Sequence, residues 1–273
     1  MGILYVSDLD GTLLNTSASL SPYTIKTING LVEKGMLFTY ATARSLSSAS
    51  VAAKGLYPKI PVIVYNGAYI MEPATGNILA SESFTKEERS YVERKLSGYG
   101  VSPVVYSFIK GRECVSWNLL QINEGKKRYF GNRQGDKRLR PVENEKKLYE
   151  GEAFYYTCIG EEEELKPLYD IFAGDERYTC TFQQELYRPE YWLETMPRKA
   201  TKYNGILKLK ELWHCDKVIS FGDSVNDIPM FQISDQCYAV ENAVDSLKKL
   251  ATGIIGNNDS DSVAKWLEEN FRE

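Results

Sequence analysis

Short apolar runs alternate with helical patterns at both ends of this 273-residue chain. Before residue 83 and after residue 191, strand-like runs such as 3–7 and 218–221 are separated by stretches with helical spacing. Strands that alternate with helices form a parallel sheet covered by helices. The alternation therefore predicts an α/β fold, with a Rossmann-like, doubly wound parallel sheet as its core.

The middle of the chain has a different pattern. Several strand-like runs between residues 83 and 191 surround two helical stretches, which is typical of an α+β module with a mostly antiparallel sheet. We therefore expect a core formed by 1–82 plus 192–273 and an inserted α+β domain at 83–191. Within the insertion, the basic stretch 126–140 is interpreted as a solvated, partly mobile loop, with attraction of an anionic substrate as the alternative.

Two acidic residues follow the first strand. Asp8 and Asp10 lie on a Gly-Thr turn at the carboxyl end of that strand, where open α/β sheets bind ligands. Two carboxylates about 4 Å apart repel each other by roughly 4 kcal/mol at an effective dielectric near 20. Hard oxygen ligands suit Mg²⁺, and an aspartate beside Mg²⁺ can attack phosphorus to form an aspartyl-phosphate. Taken alone, the pattern is equally typical of an acidic turn.

Three further positions stand at strand ends or helix starts. Thr42 follows the second strand and can donate to a phosphate oxygen, although such a residue is often only a helix cap. Lys202 begins a helix and can bridge an aspartate and a phosphoryl oxygen, with Lys199 as a competitor and a plain surface charge as the alternative. Asp223 follows a later strand and, with Asp227, can reach a cation or form a capped turn.

In this order, the motifs resemble the haloacid dehalogenase-like superfamily, specifically its Cof-type phosphatases of subclass IIB. The segments that carry the resemblance are Asp-Leu-Asp-Gly-Thr-Leu-Leu at 8–14, Ala-Thr-Ala-Arg at 41–44, Tyr-Asn-Gly-Ala at 65–68, Lys202, Gly-Asp-Ser-Val-Asn-Asp at 222–227 and Asn-Asp-Ser-Asp-Ser-Val-Ala at 258–264. The resemblance implies that the insertion is a cap domain that covers the active site and selects the substrate.

The resemblance also implies a role for each site residue. Asp8 is the nucleophile, and Asp10 protonates the leaving group and then activates water. Mg²⁺ is held by Asp8, the backbone carbonyl of Asp10, and Asp223. The phosphate-binding or supporting residues are Thr42, Arg44, Asn66, Lys202, Asn226 and Asp227.

Composition narrows the class of protein. A net charge of −4 gives no reason to expect nucleic-acid binding. The amino-terminal residues contain no basic or long apolar stretch, so we expect no signal peptide, no membrane span and a cytoplasmic location. The five cysteines share no close spacing, which predicts neither disulfides nor a zinc site. The single histidine, His214, disfavours serine- or cysteine-triad chemistry.

The leading hypothesis is a Mg²⁺-dependent phosphatase of small phosphorylated metabolites such as sugar phosphates. A phosphomutase of the same superfamily is the first alternative, because phosphomannomutases share this class of cap. A catalytically idle phosphate-sensing module is the second, and it does not need the nucleophile Asp8 and the acid Asp10 together. The sequence carries no signal of oligomeric state.

Overall fold

The structure, a computed structural model, describes residues 2–185 and 188–272. Its strands are β1 (Gly2–Ser7), β2 (Leu37–Tyr40), β3 (Val62–Val64), β4 (Tyr69–Met71), β5 (Ile78–Ser81), β6 (Val104–Ile109), β7 (Arg112–Asn118), β8 (Leu139–Val142), β9 (Glu152–Gly160), β10 (Tyr178–Gln184), β11 (Tyr191–Pro197), β12 (Cys215–Gly222), β13 (Gln236–Val240) and β14 (Gly253–Ile255). Its α-helices are α1 (Pro22–Glu33), α2 (Leu46–Ala52), α3 (Lys86–Gly98), α4 (Glu124–Gly131), α5 (Glu145–Leu148), α6 (Glu162–Ala173), α7 (Lys202–Leu212), α8 (Ile228–Ile233), α9 (Asp245–Lys248) and α10 (Ser262–Asn270).

A parallel sheet organises the unit formed by the chain up to Ser81 and from Lys199 onward. Its strand order is β14-β13-β12-β1-β2, and every pairing in it is parallel. A single bridge between Ala41 and Ile63 continues it towards β3, which belongs to a small antiparallel sheet with β4 and β5. The expected parallel α/β core is confirmed.

The core strands are apolar because a parallel sheet is covered on both faces. Leu4 and Val6 in β1 and Val218 and Phe221 in β12 are completely buried. Around the sheet, α1 packs against α10 and α7 against α8. The middle strands of the sheet, β1 and β12, therefore lie in a well-packed core.

The second unit, Glu82–Arg198, is built on a six-stranded sheet of order β10-β11-β9-β6-β7-β8. All its pairings are antiparallel except that of β7 with β8. The expected boundary at residue 191 lies too early, at the first residue of β11. That strand pairs with β9 and β10 along its length, so it completes this sheet instead of beginning the core.

The basic stretch 126–140 is not the loop that its charge predicts. It contributes most of α4 and the start of β8. Lys126 is buried and donates from Nζ to the backbone carbonyls of Ser102 and Gln121, while Phe130 stacks on Trp117 with ring centroids 3.7 Å apart. Carbonyl partners for the ammonium and apolar cover for the ring outweigh the solvation that a cationic loop would gain.

Within the described ranges, the helices are too short or too polar to span a bilayer.

Candidate active site

The carboxyl ends of β1 and β12 bring the two acidic loops together. The strands are parallel neighbours, with Ser7 paired with Phe221, and the Asp8 N–H donates to the Phe221 carbonyl at 2.9 Å. Asp8 and Asp223 therefore leave adjacent strands at the same edge. This is the edge at which open α/β sheets bind ligands.

A cleft of about 360 Å³ opens at this edge. It is lined by Asp8, Asp10, Gly11, Ala43, Asp223, Ser224 and Asn226. The sequence-predicted residues Asp8, Asp10, Asp223 and Asn226 thus share one cleft. Asp8 is only 4% exposed, whereas the side chain of Asp10 is 50% exposed.

Lys202 forms the buried base of the site. Its Nζ lies 2.6 Å from Asp8 Oδ1 and 2.6 Å from Asp227 Oδ1, and its side chain is completely buried. Burial opposes the positive charge, but Asp227 and Asp8 outweigh it and raise the pKa of Lys202. Lys199 is exposed, whereas Lys202 contacts Asp8 and Asp227. Of the two lysines considered for this role, the structure therefore favours Lys202.

The position of Lys202 depends on a glycine in a neighbouring turn. Gly67 ends the turn Tyr65–Gly67 with φ +108°, and a Cβ there would lie 2.0 Å from the Thr201 carbonyl oxygen. Thr201 caps α7, accepting the Asn204 N–H at 3.2 Å. Only glycine permits this approach, so Gly67 lets α7 begin directly beneath the acidic loops.

Asp227 orients the second acidic loop. Its Oδ2 accepts the N–H groups of Asp223 and Ser224 at 2.9 and 3.0 Å, while its Oδ1 binds Lys202. Thr12, for which no role is predicted from the sequence, donates its hydroxyl to Asp223 Oδ1 at 2.8 Å. The only sequence signal for this role is that Thr12 ends the Asp-Leu-Asp-Gly-Thr motif. Both contacts fix where the Asp223 carboxylate points.

The charges of the site suit a divalent cation. Carboxylate oxygens of Asp8, Asp223 and Asp227 lie within 4.8 Å of one another, and Lys202 supplies one positive charge against three negative ones. Burial raises the pKa of Asp8 well above its ordinary range, against the attraction of Lys202. Burial likewise raises the pKa of Asp223, although the hydroxyl of Thr12 lowers it. Hard carboxylate oxygens with unbalanced charge fit Mg²⁺.

The Asp10 carboxylate, which lines the same cleft, is paired with Arg44. Arg44 holds this carboxylate with two bonds, from Nε at 2.7 Å and from Nη2 at 2.5 Å. The hydrogen bonds that Arg44 donates to Asp10 raise the pKa of Arg44 above its ordinary value. A bidentate arginine–carboxylate pair fixes orientation as well as charge, so Arg44 sets the direction in which Asp10 points.

Asn226 lines the cleft, and Thr42 and Asn66 are linked to it by hydrogen bonds. Thr42 is completely buried, and its hydroxyl accepts the Arg44 N–H at 3.1 Å. It does not cap α2, because the cap of that helix is Ser45, whose hydroxyl accepts the Ser48 N–H at 3.2 Å. The Thr42 carbonyl accepts the Asn66 N–H at 2.8 Å. Asn66 in turn accepts the Asn226 side-chain amide at 3.3 Å. These residues connect the β2, β3 and β12 ends around the cleft.

The match to known proteins covers nearly the whole chain. A family model described as haloacid dehalogenase-like hydrolase matches residues 5–267. The 5-amino-6-(5-phospho-D-ribitylamino)uracil phosphatase YwtE of Bacillus subtilis is 25% identical over 288 residues, covering 96% of each chain. YitU of the same organism, which is named for the same phosphatase activity, is 24% identical over 279 residues. The match covers 98% of this chain and 97% of YitU.

Solved structures have the same fold. TM0651 from Thermotoga maritima superposes with a TM-score of 0.80 at 25% identity, covering 100% of this chain and 99% of its own. BT4131, described as a subclass IIB sugar phosphatase, has a TM-score of 0.71 at 20% identity over 98% of both chains. The chain therefore belongs to the haloacid dehalogenase-like hydrolase family and is a phosphoric monoester hydrolase, as its motifs predict.

Proposed function

We propose that the chain is a Mg²⁺-dependent phosphatase of small phosphorylated metabolites that works through an aspartyl-phosphate. The observation that carries the proposal is the buried Asp8, bound by Lys202 at 2.6 Å and open to a cleft that Asp10 and Asp223 also line. A binding module would not need a nucleophile beside an exposed second carboxylate. A phosphatase needs both.

In the first step, an Asp8 carboxylate oxygen attacks phosphorus as the bond to the leaving oxygen breaks, and Asp10 gives that oxygen a proton. In the second, water attacks the aspartyl-phosphate, Asp10 takes its proton, and inorganic phosphate leaves Asp8 free. Arg44 orients Asp10 for both proton transfers through its two bonds to the carboxylate. Lys202 and Thr42 are assigned to the phosphoryl oxygens, and Asn66, Asn226 and Asp227 to supporting them.

The residues that would hold Mg²⁺ are Asp8, Asp223 and the backbone carbonyl of Asp10, with Asp227 fixing the Asp223 loop. When bound, the ion offsets the repulsion between the Asp8 carboxylate and the phosphate dianion. Lys202 alone leaves the cluster negative, which supports the assignment.

The proposed substrate class is a phosphate ester on a hydroxylated carbon chain. YwtE is named for a phosphoribitylamino-uracil and BT4131 for sugar phosphates, and both names describe a phosphate on a polyol-like chain. We assign selection of the leaving group to the inserted α+β unit. The five free cysteines support a cytoplasmic, reducing location.

Phosphate release across a matched panel tests this proposal. The panel contains sugar phosphates, the phosphoribitylamino-uracil, nucleotides and p-nitrophenyl phosphate, each with Mg²⁺ and with EDTA. We expect Mg²⁺-dependent release that is fastest for the phosphorylated polyol chains. Full activity in EDTA would refute the metal assignment. An isomeric sugar phosphate that forms faster than free phosphate, and only with a bisphosphate present, would favour a mutase instead.

Mg²⁺ binding is expected to weaken as the pH falls. The raised pKa values of Asp8 and Asp223 mean that these carboxyls take up protons at a higher pH than ordinary aspartates, near 3.9. Protons therefore compete with the cation, and the Mg²⁺ Kd rises by up to about tenfold per pH unit for each proton displaced. Calorimetric titration of metal-free protein at a series of pH values measures this, and a Kd independent of pH would contradict it.

A further inference from the structure

A short segment after β13, residues 241–244, touches both acidic loops. Asn242 Nδ2 donates to the Gly11 carbonyl at 2.7 Å. Two residues later, the Val244 N–H donates to the Asp223 carbonyl at 2.8 Å. Gly11 directly follows Asp10 in the first loop, and Asp223 is the acidic residue of the second. One segment therefore fastens the two loops that carry the proposed cation ligands.

The Asn242 amide is used at both ends. While its Nδ2 holds Gly11, its Oδ1 accepts the Asn258 N–H at 3.1 Å. Asn258 is only 7% exposed, and its own Nδ2 donates to the Leu14 carbonyl at 2.9 Å. This relay of two amides fixes the first loop at Gly11 and at Leu14. An amide suits this position because it offers a donor and an acceptor on separate atoms while remaining neutral.

The loops need such a tie because they are close and alike in charge. Gly11 has φ +73°, and a Cβ on it would lie 2.5 Å from Asp223 Oδ2. The carboxylates of Asp8, Asp223 and Asp227 lie within 4.8 Å of one another, so their repulsion acts to separate the loops. A neutral side chain that binds backbone carbonyls opposes this separation without adding another charge.

We propose that Asn242 is a positioning residue that fixes the first acidic loop against the Asp223 loop, so that their carboxylates are arranged for a divalent cation before it arrives. The inference rests on the proposed function in so far as that function places Mg²⁺ at Asp8 and Asp223. Outer partners that orient metal ligands typically change metal affinity by about 10- to 100-fold when removed. Asn242 acts in this way through the backbone of Gly11.

The test is calorimetric Mg²⁺ binding to the metal-stripped full-length protein. Asn242→Ala is expected to raise the Mg²⁺ Kd by about 10- to 100-fold, while kcat recovers towards the wild-type value at saturating Mg²⁺. Asn242→Ser replaces the amide by a hydroxyl, which remains polar but is too short to form both bonds, so the same result is expected. Asn242 is exposed, which makes both substitutions compatible with folding.

Asn29→Ala is the matched control. Asn29 also bridges two backbone groups, donating to the Gly55 carbonyl at 2.8 Å and accepting the Tyr57 N–H at 3.0 Å, but it touches neither acidic loop. Its loss is expected to leave the Mg²⁺ Kd unchanged. Wild-type affinity in both Asn242 variants, or equal weakening in Asn29→Ala, would overturn the inference alone. A wild-type protein that binds no Mg²⁺ would overturn the proposed cation site, and this inference with it.

Discussion

Replacement of Asp8 by asparagine is expected to reduce phosphatase turnover by at least roughly 10⁴-fold, as removal of a catalytic nucleophile does in other enzymes. The amide has the shape of the carboxylate but cannot attack phosphorus. The fold should survive, because Lys202 keeps its bond to Asp227. Since burial is the main cause that raises the pKa of Asp8, removing this charge should leave the metal-free protein at least as stable as the wild type.

The control for this variant lies at the other edge of the same sheet. Asp216, near the start of β12, is exposed and accepts the Gly2 N–H at 3.0 Å, a bond that asparagine can also accept. Asp216→Asn should therefore retain wild-type turnover. Initial rates at saturating substrate and thermal unfolding in EDTA measure both variants. An Asp8→Asn protein with a tenth or more of wild-type activity would contradict the covalent mechanism.

The acidic edge could be predicted from the sequence because it follows from sheet geometry. Carboxyl ends of parallel strands meet at one edge, so acidic residues after two apolar runs had to be neighbours once β1 and β12 paired. The same rule explains why Asp8 and Asp223 were expected together although more than 200 residues separate them. The order of strand-like and helical stretches likewise predicted the fold class of both units.

The contacts that refine the site left weaker signals. An exposed asparagine such as Asn242 looks the same in a sequence whether it faces water or fastens a catalytic loop. The two-bond pairing of Arg44 with the Asp10 carboxylate depends on the path of the chain after β2, and residue spacing does not determine that path. Charge was misleading at Lys126, where backbone carbonyls from two other segments make burial of the ammonium favourable.

Replacement of Lys202 by methionine is expected to affect stability more than any other single change at the site. Its ammonium is completely buried between Asp8 and Asp227, so the variant leaves two buried carboxylates without a counter-charge. Breaking a buried ion pair in this way costs about 3–5 kcal/mol of unfolding free energy. Turnover should also be lost, because Asp8 would no longer be held as an anion in position.

The pH dependence of this loss separates its electrostatic cause from poor packing. The folded-state pKa of Asp8 is already raised, and removal of Lys202 takes away the attraction that lowers it. A raised carboxyl pKa favours the folded state at low pH, so the deficit of Lys202→Met should be largest near about pH 8 and shrink towards about pH 5. Urea unfolding in EDTA at both pH values measures this loss of stability.

The exposed Lys199→Met is the control and should change stability by less than about 0.5 kcal/mol. If Lys202→Met lowers the free energy of unfolding by the same amount at both pH values, the loss comes from poorer packing. The uncompensated buried carboxylates would then not be its cause.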